Sequence, residues 1–301
     1  MRSLVTGGAG FIGSHLVEGL LSKGDQVDVL DNFSAGKFEI SGSRIVRKDI
    51  RDDSIEDDFY SIDRVFHLAA APDVKLSLSD PGNTYYNNVE GTFKVLEFMR
   101  KKDIGHIIFA STSAVYGNAR MPTPETEITA PISNYAASKL SGEAFISAYS
   151  ACYGIKATVL RYANIFGERS THGVMFDFYN KLSSDPDELE ILGDGNQEKS
   201  YLYVKDCVDV TILAAERQTK DFDIFNIGSE EKIRIRRIAE LLCSGLGLSP
   251  QFKFTGTEAW KGDVKLMLLD ISKIKSLGFS PKYSFEKGLE NYIRFLGQTN
   301  P

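Results

Sequence analysis

The sequence contains few of the residues that build metal centres and disulfide frameworks. Its 301 residues include three cysteines and four histidines. Cys152, Cys207 and Cys243 have no metal-ligand spacing, and their odd number is typical of reduced thiols buried as small hydrophobic side chains. His67 lies in an apolar stretch and is interpreted as a core histidine with its hydrogen bonds satisfied. We therefore expect no metal site.

Long apolar segments and basic runs are absent as well. No stretch approaches the roughly 20 uncharged apolar residues that a membrane span requires. The N-terminus resembles a strand that runs into glycines rather than a signal peptide. The net charge of −6, without a long basic run, argues against nucleic acid or an anionic membrane as the main partner. We expect a cytoplasmic protein that acts on a small molecule.

Short apolar strands alternate with helical patterns through the first half of the chain. Such alternation predicts a parallel sheet with helices on both faces, in an α/β fold of the Rossmann type, doubly wound, with a smaller C-terminal α/β domain. The regular pattern breaks after about Asn164 into loops and further helices. The predicted strands are Ser3–Thr6, Val27–Leu30, Arg64–Leu68, His106–Ala110 and Thr158–Tyr162, and the clearest predicted helices are Thr84–Lys101 and Ala136–Tyr153.

The first strand leads into the run Gly7-Gly8-Ala9-Gly10-Phe11-Ile12-Gly13. Gly7 would allow a tight turn, Gly10 would let the backbone approach a pyrophosphate, and Gly13 would let the following helix pack closely. The phosphates would then lie at the helix N-terminus. Asp31 ends the second strand, where a carboxylate can bind the adenosine ribose of a dinucleotide.

The carboxylate of Asp31 also indicates which dinucleotide binds. It would accept both ribose hydroxyls and repel a 2′-phosphate, which favours NAD over NADP. Lys37 and Arg44 lie nearby and leave NADP as the less favoured choice. Asp49 and Ile50 follow a third short strand and either border the adenine or belong to a solvated loop.

Tyr135 and Lys139 are one helical turn apart and would share one face of a helix. The ammonium would favour the phenolate and lower a tyrosine pKa that is about 10 in water. A hydroxyl from Ser111, Thr112 or Ser113 would then reach the same substrate oxygen, and composition alone does not separate these three neighbours. The combination predicts oxidation of a secondary alcohol by a bound dinucleotide.

The motifs, taken in order, strongly resemble those of the extended short-chain dehydrogenases that act on nucleotide sugars, and UDP-glucose 4-epimerases are closest in pattern. The likeness runs nearly from end to end. It rests on the glycine run 7–13, Asp31-Asn32, His67-Leu68-Ala69-Ala70, Asn88 to Thr92, Ser111 to Gly117, Tyr135 to Lys139, Arg161 to Gly167, Gly193 to Gly195, Tyr203 to Asp206 and Asn226 to Gly228.

The resemblance implies a role for each matching residue. Tyr135 would be the catalytic acid/base, Lys139 would hold the nicotinamide ribose, and Thr112 would relay a proton to the sugar oxygen. The implied NAD-binding residues are Gly7, Gly10, Phe11, Ile12, Gly13, Asp31, Asn32, Asp49, Ile50, Leu68, Ala69, Ala70, Asn88, Ser111, Tyr135, Lys139 and Tyr162. The implied substrate-binding residues are Thr112, Asn164, Lys199 and Asp263.

Several positions depart from the family pattern and concern the sugar. Lys199 and Trp260 stand where many relatives have arginines for the diphosphate, and lysine lacks the bidentate fork. Met267 aligns with a position that governs whether an N-acetyl group fits, although a plain core methionine is an equal alternative. Ser113 and Ala114 occupy the place where family dehydratases and decarboxylases have an acid.

The resemblance therefore implies a UDP-glucose 4-epimerase that interconverts UDP-glucose and UDP-galactose through a 4-keto sugar with bound NAD. Residues 1–165, with a return near 200–226, would form the NAD domain, and residues 166–301 the substrate domain. A homodimer would form through the two long helices. The alternatives are a UDP-glucuronate or UDP-N-acetylglucosamine 4-epimerase, a nucleotide-sugar dehydratase, and a non-catalytic NAD-binding sensor.

Overall fold

The computed structural model describes residues 1–256, 262 and 264–299. Its strands, in chain order, are β1 (Arg2–Thr6), β2 (Gln26–Leu30), β3 (Arg44–Val46), β4 (Arg64–His67), β5 (His106–Thr112), β6 (Lys156–Tyr162), β7 (Asn164–Phe166), β8 (Glu188–Ile191), β9 (Glu198–Tyr203), β10 (Phe222–Ile227), β11 (Lys232–Arg234), β12 (Gln251–Phe254) and β13 (Leu266–Met267).

Seven of these strands form one parallel sheet in the order β10-β6-β5-β4-β1-β2-β3. The central strands are buried almost throughout, as expected for a sheet whose two faces are both covered by helices. The Rossmann-type, doubly wound α/β fold is therefore confirmed. β1 has β2 on one side and β4 on the other, so the strand order reverses there and opens a crevice at the carboxyl edge.

The helices are α1 (Phe11–Ser22), α2 (Leu76–Ser79), α3 (Pro81–Thr84), α4 (Gly91–Lys101), α5 (Asn134–Tyr153), α6 (Val174–Ser184), α7 (Val204–Arg217), α8 (Ile235–Leu246), α9 (Ser272–Ser276) and α10 (Phe285–Thr299). On one face of the large sheet, α1 and α7 share an apolar core through Leu16, Leu20 and Val208. On the other face, α4 and α5 pack through Leu96 and Ile146. No helix among the described residues is long and apolar enough to cross a membrane.

The sequence predicts one continuous helix over residues 84–101, but the first part of this segment is not a regular α-helix. Residues Tyr85–Glu90 form a π-helical turn, and α4 begins only at Gly91. Asn88 lies in this turn, and its carbonyl accepts a hydrogen bond from the Thr92 hydroxyl at 2.6 Å. A π-turn inside a helix often marks a functional site, and apolar periodicity does not distinguish it from an ordinary α-turn.

The second half of the chain forms a smaller α/β body and also returns to the large sheet. β7, β9, β11 and β13 build a four-stranded sheet, and β8 pairs with β12. α6, α8 and α10 surround a separate apolar core that includes Phe178, Leu242 and Tyr292. α7 packs on α1 and β10 pairs with β6, so residues 204–227 belong structurally to the first domain.

The expectation that all three cysteines are buried is wrong for one of them. Cys207 and Cys243 are buried, whereas Cys152 is exposed. Cys152 lies in the last turn of α5, among exposed residues at the end of the helix.

Candidate active site

The predicted site residues meet at one edge of the large sheet because they follow the carboxyl ends of its parallel strands. Gly7 follows β1, Asp31 follows β2, Leu68 follows β4, and Thr112 ends β5. In an open α/β sheet, ligands bind in the crevice outside these ends. The sheet therefore brings together residues that are more than 100 positions apart in sequence.

The glycine run forms a close-packed turn. Gly7 adopts a φ of +72°, and a Cβ added there would lie 2.7 Å from the backbone nitrogen of Ala69. A Cβ on Gly13 would lie 2.0 Å from the Gly7 carbonyl oxygen, so only glycine lets α1 approach the turn this closely. Gly10 is the N-cap of α1, and no side chain caps the helix. The N–H groups at the start of α1, around Phe11 and Ile12, are thus available to an anion such as a pyrophosphate.

Asp31 is nearly buried beside this turn. Its carboxylate oxygens accept hydrogen bonds from the backbone N–H groups of Ala9 at 2.9 Å and Phe33 at 2.8 Å. Each oxygen retains a lone pair with which to accept from a ribose hydroxyl. The turn without bulky side chains, the uncapped helix and this acid together fit a dinucleotide.

The neighbouring acid is held by other side chains. Asn32 donates to Asp49 at 2.9 Å, and Arg51 forms a bidentate ion pair with the same carboxylate. The Arg51 hydrogen bonds hold the pKa of Asp49 at about 2. Asp49 is thus an ionised anchor for Asn32 at the rim of the crevice, and Ile50 is buried behind it.

Arg44 and Lys37, the two cations that the sequence places near Asp31, lie in different parts of the structure. Arg44 begins β3 at the end of the sheet remote from the crevice, donates to the Asp58 carbonyl at 2.8 Å and lies 3.6 Å from Asp28. It therefore does not face a 2′-phosphate beside Asp31. Lys37 is exposed and donates its backbone N–H to the Ala9 carbonyl.

The N-terminus of α5 is fixed by a residue that sequence reasoning missed. Ser77 is buried, and its hydroxyl accepts from the Tyr135 backbone N–H at 3.2 Å. Its carbonyl accepts from the Asn134 side chain at 2.8 Å, while Ser133 caps the helix by accepting from Ala136. A serine in the short helix α2 has no distinguishing pattern in a single sequence.

Ser111 and Thr112, two of the three neighbouring hydroxyls at the end of β5, have different partners. Ser111 donates to the buried carboxylate of Glu143, so its side chain is not directed at the phenol. Thr112 lies close enough to Tyr135 to favour the ionised phenol, and its oxygen accepts from the Ala114 N–H at 3.2 Å. Of these two hydroxyls, Thr112 is the one beside Tyr135.

The pKa of Tyr135 differs in direction from the expectation. Burial raises it to about 12, and the Thr112 hydrogen bond lowers it only in part. Burial lowers the pKa of Lys139 to about 7, and the Glu143 carboxylate acts in the opposite direction. The expectation of a lowered tyrosine pKa neglected desolvation, which disfavours the charged form of both groups. The Lys139 ammonium lies 4.4 Å from the centre of the Phe109 ring.

Asn88 connects the loop after β4 to α5. Its side chain accepts from the Ala71 N–H at 2.7 Å and donates to the Ala71 carbonyl at 3.1 Å and to the Ser138 hydroxyl at 2.9 Å. This amide therefore orients both the apolar residues Leu68, Ala69 and Ala70, which are half-buried at the crevice, and the helix that carries Lys139.

The side chains of His67 and Tyr162 point into the core. His67 contacts the hydroxyls of Thr6 and Thr92, and burial lowers its pKa to about 3. Tyr162, which the resemblance places at the cofactor, directs its hydroxyl to Thr211 of α7 at 2.8 Å. Its side chain therefore does not reach the cofactor crevice, because the alternation of β6 points it to the α7 face.

Asn164 and Lys199, two of the residues implied for the substrate, lie on the smaller sheet. Asn164 in β7 donates to the Ser200 carbonyl of β9 at 3.1 Å. Lys199 is next to Ser200 and lies in register with Ile233 on one side and Met267 on the other. Met267 is buried in the main core. Asp263 and Trp260 lie outside the described residues.

The fold and the arrangement of glycine turn, ribose acid and Tyr135/Lys139 pair define a dinucleotide-dependent enzyme of the short-chain dehydrogenase type. Residues 3–228 match the family model described as the NAD dependent epimerase/dehydratase family. The chain belongs to this family, and the predictions of the family, of an NAD-dependent epimerase-type enzyme and of NAD as the family cofactor are confirmed.

Individual relatives are similar over their full length. A putative UDP-glucose 4-epimerase of Methanocaldococcus jannaschii is 34% identical over 99% of both chains. Two crystal structures cover 100% of both chains: a UDP-galactose 4-epimerase with 38% identity and a TM-score of 0.92, and the Thermotoga maritima UDP-glucose 4-epimerase with UDP-glucose, with 36% identity and a TM-score of 0.93. A UDP-glucuronate 4-epimerase of Thermodesulfobacterium geofontis is 31% identical over 97% of this chain and 95% of its own.

Replacing Gly13 by alanine should weaken dinucleotide binding, since the new Cβ would lie 2.0 Å from the Gly7 carbonyl and must push α1 away from the turn. We expect a loss of about 1–3 kcal/mol in unfolding free energy and at least a tenfold fall in NAD affinity. Thermal unfolding and calorimetric titration with NAD measure the two effects.

Gly105→Ala is the matched control, because a Cβ at that glycine meets no atom within 4 Å. The interpretation of the turn is wrong if Gly13→Ala binds NAD as tightly as Gly105→Ala does.

Proposed function

We propose that the protein is a 4-epimerase that interconverts UDP-glucose and UDP-galactose through a 4-keto sugar. The observation that carries this proposal is the Tyr135–Thr112 pair at the carboxyl edge of the sheet, backed by the buried Lys139 and facing a glycine turn that fits a dinucleotide. The similarity to epimerases over the whole chain supports the choice of substrate class.

Each residue of the pair has a distinct task. Tyr135 removes the proton of the sugar 4-hydroxyl, with Thr112 bridging the phenol and that oxygen. Lys139 holds the nicotinamide ribose, and its positive charge favours the phenolate. NAD, held at the glycine turn and Asp31, would supply reversible hydride transfer at C4 of the sugar. Tyr135 gives its proton back to O4 in the return step, so that protons and electrons balance over the cycle.

Rotation of the keto sugar between the two steps would invert C4. In this proposal Asn164 and Lys199 contact the diphosphate, so that the nucleotide stays fixed while the sugar turns. Dehydration would require an acid beside Thr112, and the chain has Ser113 and Ala114 there. This difference favours epimerisation over loss of water.

The second candidate is 4-epimerisation of another UDP-sugar, such as UDP-glucuronate. The comparable identity of the UDP-glucuronate 4-epimerase supports keeping this candidate. Lys199 is a point charge in place of a forked arginine, so the hold on the diphosphate differs from that of many relatives.

Incubation of the purified protein with UDP-galactose, UDP-galacturonate and UDP-N-acetylgalactosamine, followed by chromatography, tests reaction and sugar together. We expect UDP-galactose to be converted fastest, into UDP-glucose. Tyr135→Phe should reduce this rate at least 100-fold, because it removes the general acid/base.

Tyr60→Phe is the control, since that side chain is exposed in the segment before β4, at the end of the sheet opposite the crevice. Release of a dehydrated or reduced sugar, or a Tyr135→Phe variant as active as Tyr60→Phe, would contradict the proposal.

We further propose a homodimer formed by α4 and α5. Phe93 is 38% and Phe145 39% exposed, and their rings touch at a centroid distance of 5.9 Å. Phe93 also contacts Tyr149, which contacts the exposed ring of Tyr153. Two adjacent helices that share an exposed aromatic strip are suited to pair with the same strip of a second copy, as a four-helix bundle.

The cytoplasmic location stays a prediction.

Changing Phe93 and Phe145 together to glutamate should convert the dimer into a monomer, because the charges would be buried in an apolar interface. Sedimentation velocity measures the change. Ile128→Glu is the control, because that exposed residue lies on the loop between β5 and α5. A wild-type protein that sediments as a monomer would refute the interface.

A further inference from the structure

A row of buried polar side chains crosses the large sheet one residue before Thr112. Ser111 of β5 lies in register with Arg161 of β6, which lies in register with Asn226 of β10. Residues in register on neighbouring parallel strands point to the same face of the sheet. All three are at most 4% exposed, so the charged guanidinium of Arg161 lies in the protein interior.

One end of the row is covered by Glu143 of α5. Arg161 binds its two carboxylate oxygens with Nε at 3.0 Å and Nη2 at 2.6 Å, and Ser111 donates to the same group. Glu143 and Arg161 are both almost completely buried. A buried pair of this kind is often no more stabilising than apolar side chains of the same size. Its presence here therefore calls for a role other than stability.

The other end of the row reaches the backbone of the smaller body at Asp270. Arg161 Nη1 donates to the Tyr116 hydroxyl at 2.8 Å, and Tyr116 donates to Asn226 Oδ1 at 2.8 Å. The Asn226 amide donates to the carbonyls of Thr123 at 2.9 Å and Asp270 at 3.1 Å. Asp270 follows β13, the strand that lies beside Lys199.

Glu143 is also one helical turn from Lys139. Of the groups that face Lys139, His67 of β4 is neutral because burial holds its pKa near 3, Phe109 of β5 presents its ring, and Tyr135 is a phenol whose pKa is about 12. Glu143 is the acid that raises the pKa of Lys139 against the effect of burial. Both side chains face the same side of β5, because Lys139 lies over the Phe109 ring and Glu143 is bound by Ser111 two residues further along the strand. The Glu143 carboxylate is therefore close enough to act on the charge of Lys139.

We propose that Glu143 is a positioning residue of the reaction: bound to Arg161 and Ser111, its carboxylate fixes α5 on the sheet and stabilises the positive charge of Lys139. Tyr116 and Asn226 form an arm of hydrogen bonds that connects the Glu143–Arg161 ion pair to the backbone at Asp270. This inference rests on the proposed function of Lys139.

Glu143→Gln in the full-length holoenzyme tests the proposal, because it removes the charge and keeps the shape. Loss of the carboxylate lowers the pKa of Lys139, so Lys139 loses its proton at a lower pH than in the wild-type protein. We expect the alkaline limb of kcat to move down by about one pH unit or more, with kcat reduced at least tenfold at pH 8 and KM changed less than threefold. The Nζ resonance of ¹⁵N-labelled Lys139, followed against pH, should show the same shift.

Tyr116→Phe is the paired variant, because it cuts the arm to Asn226 and leaves Glu143, Arg161 and Lys139 intact. We expect it to raise KM and leave the alkaline limb in place. A merely structural role predicts lower thermal stability in both variants and no shift of the limb in either.

The NMR titration separates this inference from the proposed function. If the wild-type protein converts no UDP-sugar, the function is wrong, but the Lys139 shift still decides whether Glu143 sets its charge. An unchanged Lys139 pKa in Glu143→Gln overturns the inference. If Glu143→Gln unfolds, the double variant Glu143→Gln with Arg161→Met replaces it, because this variant leaves no unpaired buried charge. The Lys139 pKa should still fall in the double variant, but by less than in Glu143→Gln alone, because the positive charge of Arg161 is removed as well.

Discussion

Desolvation at the carboxyl edge of the parallel sheet is the constraint on which the site depends. Burial disfavours the phenolate of Tyr135 and the ammonium of Lys139, so neither group ionises freely in this position. A low-dielectric position also strengthens every charge and hydrogen bond that acts on the pair. The surrounding groups, Thr112 on the phenol and Glu143 on the lysine, therefore have a larger effect than they would have at the surface.

The packing around α5 explains how this pair is held. The helix is fixed at its start by Ser77 and Ser133 and at Ser138 by Asn88. Ser77 lies on α2 and Asn88 in the π-turn before α4, and Asn88 also binds Ala71 in the loop after β4. Hydrogen bonds therefore connect that loop to the helix that carries Tyr135 and Lys139. Errors of about 1 Å in such geometry have a large effect on rate.

Much of the architecture could be predicted from the sequence, because it follows from local patterns. Alternating apolar strands and helices predict a parallel sheet, and the glycines of the run 7–13 have the spacing that a close helix approach requires. Thr112 could be chosen among three hydroxyls only through the resemblance. The structure binds Ser111 to Glu143, and the catalytic role of Thr112 stays a prediction.

The remainder depends on contacts between distant segments. The direction of the Tyr135 pKa shift comes from tertiary burial, which the four-residue spacing to Lys139 does not contain. Ser77 and Glu143 are one serine and one glutamate among many until the fold brings them to α5. Tyr162 was assigned to the cofactor by its place in a motif, but its hydroxyl is bonded to Thr211 on the other face of the sheet.

The central claim is that one hydrogen leaves C4 of the sugar and returns to the same carbon from within the same active site. UDP-galactose labelled with deuterium at C4 tests it most directly, with mass spectrometry and NMR of the product formed in ordinary water. The account predicts UDP-glucose that retains the deuterium at C4. Product in which solvent hydrogen has replaced the label at C4 would contradict it.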